Sequence, residues 1–210
     1  MINFFDINEE LDLTNVVCHS GGADGADTCW ETLGQKWGVK TKAYSYKTKG
    51  HKSPNKVEIS EEDYIEGIEQ VKRANKFLCR FGIEKYMNLL ARNWAQVKYS
   101  KEIFAIGTFI EPGQKNDRGY TNKSKLQIVD GGTGYATMMA IINQKPVFLF
   151  DQVRDKWFKW SFLTESFVQL DQCPKIGFQD FAGIGTRQLC SNGIMAINDV
   201  YKKTFDKENV

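Results

Sequence analysis

The sequence predicts an α/β fold, an open and mostly parallel sheet with helices on both faces. Three observations carry that prediction. Short runs rich in β-branched and aromatic residues alternate with stretches whose apolar residues recur at helical spacing, as in a parallel sheet with crossover helices. Three of the apolar runs end in small-residue turns that lead toward helical stretches, beginning at Ser20, Asp130 and Gly183. The 210 residues suffice for one large domain with its own core, and no repeat or low-complexity linker divides them.

Taken in order, residues 14–18 read as a buried strand entering Ser20-Gly21-Gly22-Ala23-Asp24-Gly25. A helix over 26–37 follows, closed by Gly38 just past its C-cap, where glycine is favoured. Residues 40–46 form the next strand, and a polar stretch over 50–55 leads to Ser60, an N-cap with Asp63 three residues on. The helix after Ser60 turns Ile65, Ile68 and Val71 to one face. Met87, Leu90, Trp94 and Val97 mark the core-facing stripe of another helix, so Trp94 reads as core packing rather than a ligand stack.

Residues 102–109 are a strand, followed by a long polar loop containing Pro112, Gly113 and Gly119. A short strand over 126–129 enters Asp130-Gly131-Gly132-Thr133-Gly134, and a helix covers 135–143. The apolar run 146–151 is a strand, and 152–160, rich in Trp and Lys, is a hairpin or edge extension. The last strand, 178–184, ends in Gly183-Ile184-Gly185-Thr186-Arg187, and the final helix turns Ile194, Ile197 and Tyr201 inward before a charged tail.

Composition narrows the function classes. A hydrophobic fraction of 41% fits a globular chain, and a net charge of +2 gives no cause to expect a nucleic-acid groove. The five cysteines, Cys18, Cys29, Cys79, Cys173 and Cys190, form no C-x-x-C pair. With His19 and His51 the only histidines, no local zinc spacing exists, and neither a metal nor a cofactor is expected. Reduced thiols in a cytoplasmic protein are the expectation. Segment 1–11 carries acidic residues without a long apolar core, so it does not read as a signal peptide. No stretch reaches the roughly 20 apolar residues that span a bilayer, so no membrane partner is expected.

The turns carry the chemistry. In an open parallel sheet, strand-to-helix turns gather at the carboxyl edge of the strands, where residues remote in sequence meet. Glycine there admits close approach of the backbone to an anion, and the free N–H groups of a helix N-terminus bind it. Hydroxyls of Ser20, Thr133 and Thr186 add hydrogen bonds, and Arg187 offers a bidentate phosphate clamp. Asp24 and Asp27 stand in a first helical turn, where the dipole favours carboxylates. That role suffices for one of them and leaves the other for ribose hydroxyls or a base edge; the sequence does not say which.

Other chemistries find less support. Cys18 and His19 are neighbours on a strand, point to opposite faces, and form no dyad. No G-x-S-x-G elbow surrounds Ser20. The run Lys156-Trp157-Phe158-Lys159-Trp160 reads as an edge hairpin packed on the core or on a second subunit rather than as a base-stacking platform.

The three turns together resemble the SLOG superfamily, which includes the LOG phosphoribohydrolases, the DprA DNA-processing proteins and the YpsA-like proteins. The resemblance runs from about residue 16 to residue 201 and implies a Rossmann-like fold holding a nucleotide-derived ligand. In most relatives the Gly-Ser/Thr-Arg turn comes first; here it lies toward the C-terminus, an order similar to the circularly permuted YpsA branch. The resemblance adds Arg92 and Asn93 as site residues, beside the alternative that Arg92 caps the solvent edge of the helix stripe. It implies homo-oligomers as well.

One departure bears on activity. LOG-type enzymes place a glutamate soon after the second glycine turn, where this chain has Thr137 and Met138. Binding without hydrolysis is therefore expected. The implied ligand set is Ser20, Gly21, Gly22, Ala23, Asp24, Asp27, Arg92, Asn93, Gly107, Asp130, Gly131, Gly132, Thr133, Gly134, Gly185, Thr186 and Arg187. The leading expectation is a protein that senses or sequesters an ADP-ribose-type or cyclic nucleotide. A nucleotide-cleaving enzyme is the alternative, and a DprA-like nucleic-acid partner, disfavoured by the charge, is the third.

Overall fold

A computed structural model describes residues 11–47, 51 and 53–206. The expectations for residues 1–10, for 48–50 and 52 of the polar stretch and its approach, and for 207–210 of the charged tail lie outside the described residues. In chain order the elements are β1 (Val17–Ser20), α1 (Ala26–Lys36), β2 (Lys40–Ser45), β3 (Lys56–Glu58), α2 (Glu61–Leu78), α3 (Met87–Lys98), β4 (Glu102–Gly107), β5 (Phe109–Ile110), β6 (Ile128–Val129), α4 (Thr133–Ile142), β7 (Val147–Asp151), β8 (Lys156–Ser161), β9 (Ser166–Gln169), β10 (Asp180–Gly185) and α5 (Ser191–Phe205).

The main sheet has the order β3-β2-β1-β10-β4-β7-β8-β9. From β3 to β7 neighbouring strands run parallel, and β8 and β9 add an antiparallel hairpin at one edge. Alternation along β4 shows why both faces need helices. Ile103 and Ala105 join a core with α2, α3 and α4, whereas Phe104 and Ile106 join one with α1 and α5. Both faces are apolar, so each is covered, as parallel sheets require. Around Trp30, which is fully buried, the rings of Tyr201, Phe181 and Phe104 lie 5.4, 5.9 and 6.0 Å away. This is a Rossmann-like open α/β sheet.

Local signals fix several boundaries. Ser60 Oγ accepts a hydrogen bond from the Asp63 N–H at 3.1 Å and starts α2, and Gly38 takes φ +75° after the end of α1. Cys18 faces α1 and α5 while His19 faces the other way, its ring stacked with Tyr44 and Tyr99. The cysteines are all free. No helix among the described residues is long and apolar enough to cross a membrane.

Four expectations are corrected. The strand over 126–129 shortens to β6 and pairs antiparallel with β5 in a separate two-stranded sheet. Ile65 and Ile194 are exposed; the buried face of α2 runs through Gly67, Gln70, Val71, Ala74 and Leu78, because α3 packs close enough to need Gly67. Gly183 and Gly185 lie within β10 rather than in a turn, and α5 starts only at Ser191. A side chain at Gly183 would strike Trp30. The edge hairpin extends beyond the predicted run, adding β9.

Candidate functional site: a crevice at the strand ends

The chain leaves β1 toward β2 on one side and β4 toward β7 on the other, with β10 between them. Such a reversal opens a crevice beyond the carboxyl ends of the strands. The turn after β1 and the end of β10 meet there directly. The turn after β6 is brought to the same edge by the β5–β6 pairing and by the Asp130 N–H, which donates to the Thr108 carbonyl at 2.9 Å.

Asp27, buried on the first turn of α1, ties the first and third segments together. Its Oδ1 accepts from the Gly185 N–H at 3.1 Å and its Oδ2 from the Ala23 N–H at 3.4 Å. Burial pushes its carboxyl up to about 6, against the opposing pull of Arg92 and of the backbone donors. The Ala26 N–H donates to the Thr186 carbonyl at 3.0 Å, so the third segment caps α1 in place of a ligand. Gly25, at φ +104°, admits this contact; a side chain there would lie 2.6 Å from Arg187 Cα and Thr186 O. Ser20 spends its hydroxyl on the Asp27 carbonyl at 3.2 Å, and Thr186 Oγ1 accepts from the Gln188 N–H at 3.1 Å. Asp24 is exposed. The two carboxylates left open by the sequence thus separate: Asp27 is the structural staple and Asp24 faces solvent.

Two side chains from other elements cover the first glycines. Arg92 of α3 lies against Gly21, and His51 lies against Gly22. Arg92 is 6% exposed, and its Nη1 is sealed from water without a hydrogen-bond partner among the described residues. Burial draws its pKa down, Asp27 opposes this, and nearby Arg187 reinforces it. Both ring nitrogens of His51 are buried, and the nearby peptide groups of Gly21 and Tyr44 favour the charged form of the ring. Burial, then Arg92 and Lys56, lower the pKa of that imidazole. Asn93, beside Arg92, reaches the other way, its Nδ2 3.5 Å from the Gly132 carbonyl. One turn of α3 therefore spans the first and second glycine turns.

The second turn is held from behind. Arg80 donates from Nη1 to the Gly131 carbonyl at 2.5 Å and from Nη2 to the Val129 carbonyl at 2.7 Å, its guanidinium flanked by Tyr135 and Tyr120. In a trans peptide the N–H points opposite the C=O, so the Gly132 N–H is aimed away from Arg80. Gly132 is exposed, no side chain caps α4, and a Cβ at Gly132 meets nothing within 4 Å. Asp130 closes one side, bonding to the Gly131 N–H at 2.7 Å, Asn116 at 3.0 Å and Arg118 at 2.6 Å. Gly134 lies against Val129 and Arg80, Thr133 gives its carbonyl to Thr137 at 3.2 Å, and Gly107 lies under Val129 at the end of β4. Thr137 and Met138 are buried in α4, and the Thr137 hydroxyl is held at 3.1 Å by the Gly134 carbonyl.

The structure thus gathers Gly21, Gly22, Ala23, Asp27, Arg92 and Gly185 closely, and α3 links them to Gly132. Arg187 is exposed at their edge. Sequence reasoning missed His51 and Arg80, which sit in no motif. It also missed Glu31, which accepts from Ser53 at 2.8 Å and Asn55 at 2.6 Å and so anchors the segment after His51.

Fold and crevice define a Rossmann-like open-sheet protein with a buried arginine and a histidine packed on the first glycines at its strand-end edge. No protein-family model, curated protein or solved structure matches the chain. Among the described residues no group of three or more His, Cys, Asp or Glu side chains is placed to hold a metal ion.

Proposed function

We propose that the protein binds a nucleotide-derived small molecule by its phosphate groups in this crevice, as a sensor or a sequestering agent. The observation that carries the reading is Arg92: a buried guanidinium against Gly21 of the first turn, whose Nη1 has no hydrogen-bond partner among the described residues. Leaving a charged donor buried without a partner is costly, and an anion would supply the missing acceptor. The exposed Gly132 backbone, with open space in front of it, supports the reading from the other side of the crevice. The resemblance to the permuted SLOG branch implies a nucleotide-derived ligand, for which ADP-ribose derivatives and cyclic nucleotides are the candidates, and a homo-oligomer; the free thiols suit a cytoplasmic protein.

A thermal-shift panel of mono-, di- and cyclic nucleotides with ADP-ribose derivatives tests it. A matching ligand stabilises the fold by about 2.7 kcal/mol at a hundredfold excess over its dissociation constant. No shift with any compound sinks the reading. Sedimentation velocity tests the oligomer.

The hydrolase alternative has one observation in its favour, the raised pKa of Asp27 beside Arg92. Both Asp27 oxygens are nevertheless engaged by backbone N–H groups, and Thr137 and Met138 are buried within α4. Glycosidic cleavage needs a carboxylate free to handle the developing charge and the water. We therefore expect AMP to be returned intact after long incubation at high protein concentration, with chromatography for free base as the check. Release abolished by Arg92→Ala or Asp27→Asn would establish the enzyme instead.

A further inference from the structure

The first glycine turn is covered by two side chains, and among the described residues Arg92 Nη1 has no hydrogen-bond partner. Arg92 comes from α3 and His51 from the segment between β2 and β3, and they lie on consecutive glycines. A phosphoryl group placed against them would meet donors of two kinds. Guanidinium is charged at every physiological pH, whereas imidazole changes charge near neutrality. We propose that Arg92 and His51 together read a phosphoryl group of the ligand, Arg92 as fixed charge and His51 as a donor that takes up one proton when the anion binds. The proposal rests on the phosphate-binding reading above and adds the proton and the residue that carries it.

The surroundings of His51 set the sign. Burial holds the free imidazole below its ordinary value, and the charges facing it, Arg92 from α3 and Lys56 from β3, act in the same direction. The peptide groups of Gly21 and Tyr44 oppose them. An anion at this place cancels the repulsion from Arg92 and offers an acceptor, so the imidazole binds its proton more tightly in the complex. Between the free and bound pKa values, affinity falls as pH rises, by up to tenfold per unit. Asp27, which meets Arg92 on the same side of Gly21 and is itself raised, is another titratable group close to Arg92. It must be separated from His51 experimentally.

ADP-ribose is the suitable probe, because its pyrophosphate diester does not titrate near neutrality, whereas a terminal phosphate does so at about pH 6. Calorimetry from pH 6 to 8, in buffers of different ionisation enthalpy, counts the protons bound with the ligand. Uptake approaching one proton, lost in His51→Gln and kept in Asp27→Asn, is the expected result. With only two histidines in the chain, imidazole NMR follows the group directly, and the His51 pKa should rise on saturation while that of His19 stays in place. Binding without proton uptake and unchanged in His51→Gln overturns the proposal and leaves the phosphate-binding reading intact. Uptake that survives His51→Gln and vanishes in Asp27→Asn transfers the proton to Asp27 and also overturns it. No binding of ADP-ribose, AMP or inorganic pyrophosphate removes both.

Discussion

The two Gly-Gly turns share a sequence signature and do different work. At the first, Arg92 and His51 cover the glycines, Asp27 bonds Ala23 and Gly185, and Thr186 caps α1. At the second, Arg80 and Asp130 hold the loop from behind and from one side, and the space before Gly132 stays open. The first turn has its glycines because protein must approach; at Gly132 of the second, a side chain would meet no described residue within 4 Å. A glycine pair in a strand-to-helix turn therefore signals close approach without saying what approaches. Only the opposing element, here α3, settles that.

Substitutions at the two turns should differ most in folding. Gly25→Val in the first turn combines a left-handed backbone with overpacking against Thr186 and Arg187. These terms cost about 1–3 kcal/mol and about 1–3 kcal/mol, so urea denaturation should show a loss of about 2–6 kcal/mol. A loss below about 1 kcal/mol would mean that the first and third segments are not docked as described.

The next effect is a pH dependence confined to the first turn. Asp27 has a folded pKa of about 6 against 3.8 unfolded, so the folded chain holds the extra proton between those values. Stability from this group rises as pH falls through about 6 and levels off below 3.8. Two pKa units correspond to about 3 kcal/mol. Relative to Asp27→Asn, the wild-type chain should gain up to that amount between pH 7 and pH 4. A constant difference would place Asp27 in a more polar setting.

Binding should separate the two arginines. Arg92→Ala removes a buried charge-assisted donor, worth about 1.5–3 kcal/mol of affinity, whereas exposed Arg187→Ala should cost at most about 1 kcal/mol. Calorimetry with ADP-ribose ranks them, and equal losses would move the ligand toward the rim. The smallest expected effect is Gly132→Ala on folding, within about 0.5 kcal/mol of wild type. Paired with weakened binding, that result would mark the open turn as ligand-facing; destabilisation would mean that some element closes over it.

Much of the fold was legible because its signals are local. Alternating apolar periods gave the sheet and its helices, Gly38 and Ser60 marked helix boundaries, and the Leu90-Trp94-Val97 stripe gave the buried face of α3. Ile65 and Ile194 misled because helical spacing identifies a stripe but not its exact centre, and Gly67 rather than isoleucine marks the closest packing of α2. The candidate site was legible where glycines announced it, at Gly21, Gly22 and Gly132. Arg92 entered through the family resemblance. His51 and Arg80 had no signal at all: each lies in an irregular segment, and their positions depend on contacts with residues about 30 to 50 positions away in the chain.

The position of β10 has a consequence for how the chain is made. Asp180–Gly185 lies between β1 and β4, and so the sheet keeps an unfilled slot while the preceding 179 residues emerge. Until β10 arrives, β1 and β4 present unpaired edges, the kind of template that recruits foreign strands. Closure then requires contacts spanning from Val17 to Asp180, which are slow to form. The same strand ends in Gly185, whose N–H holds Asp27. Synthesis of β10 is thus also the moment at which the crevice acquires its shape, so a ribosome-bound chain short of residue 185 lacks the complete crevice.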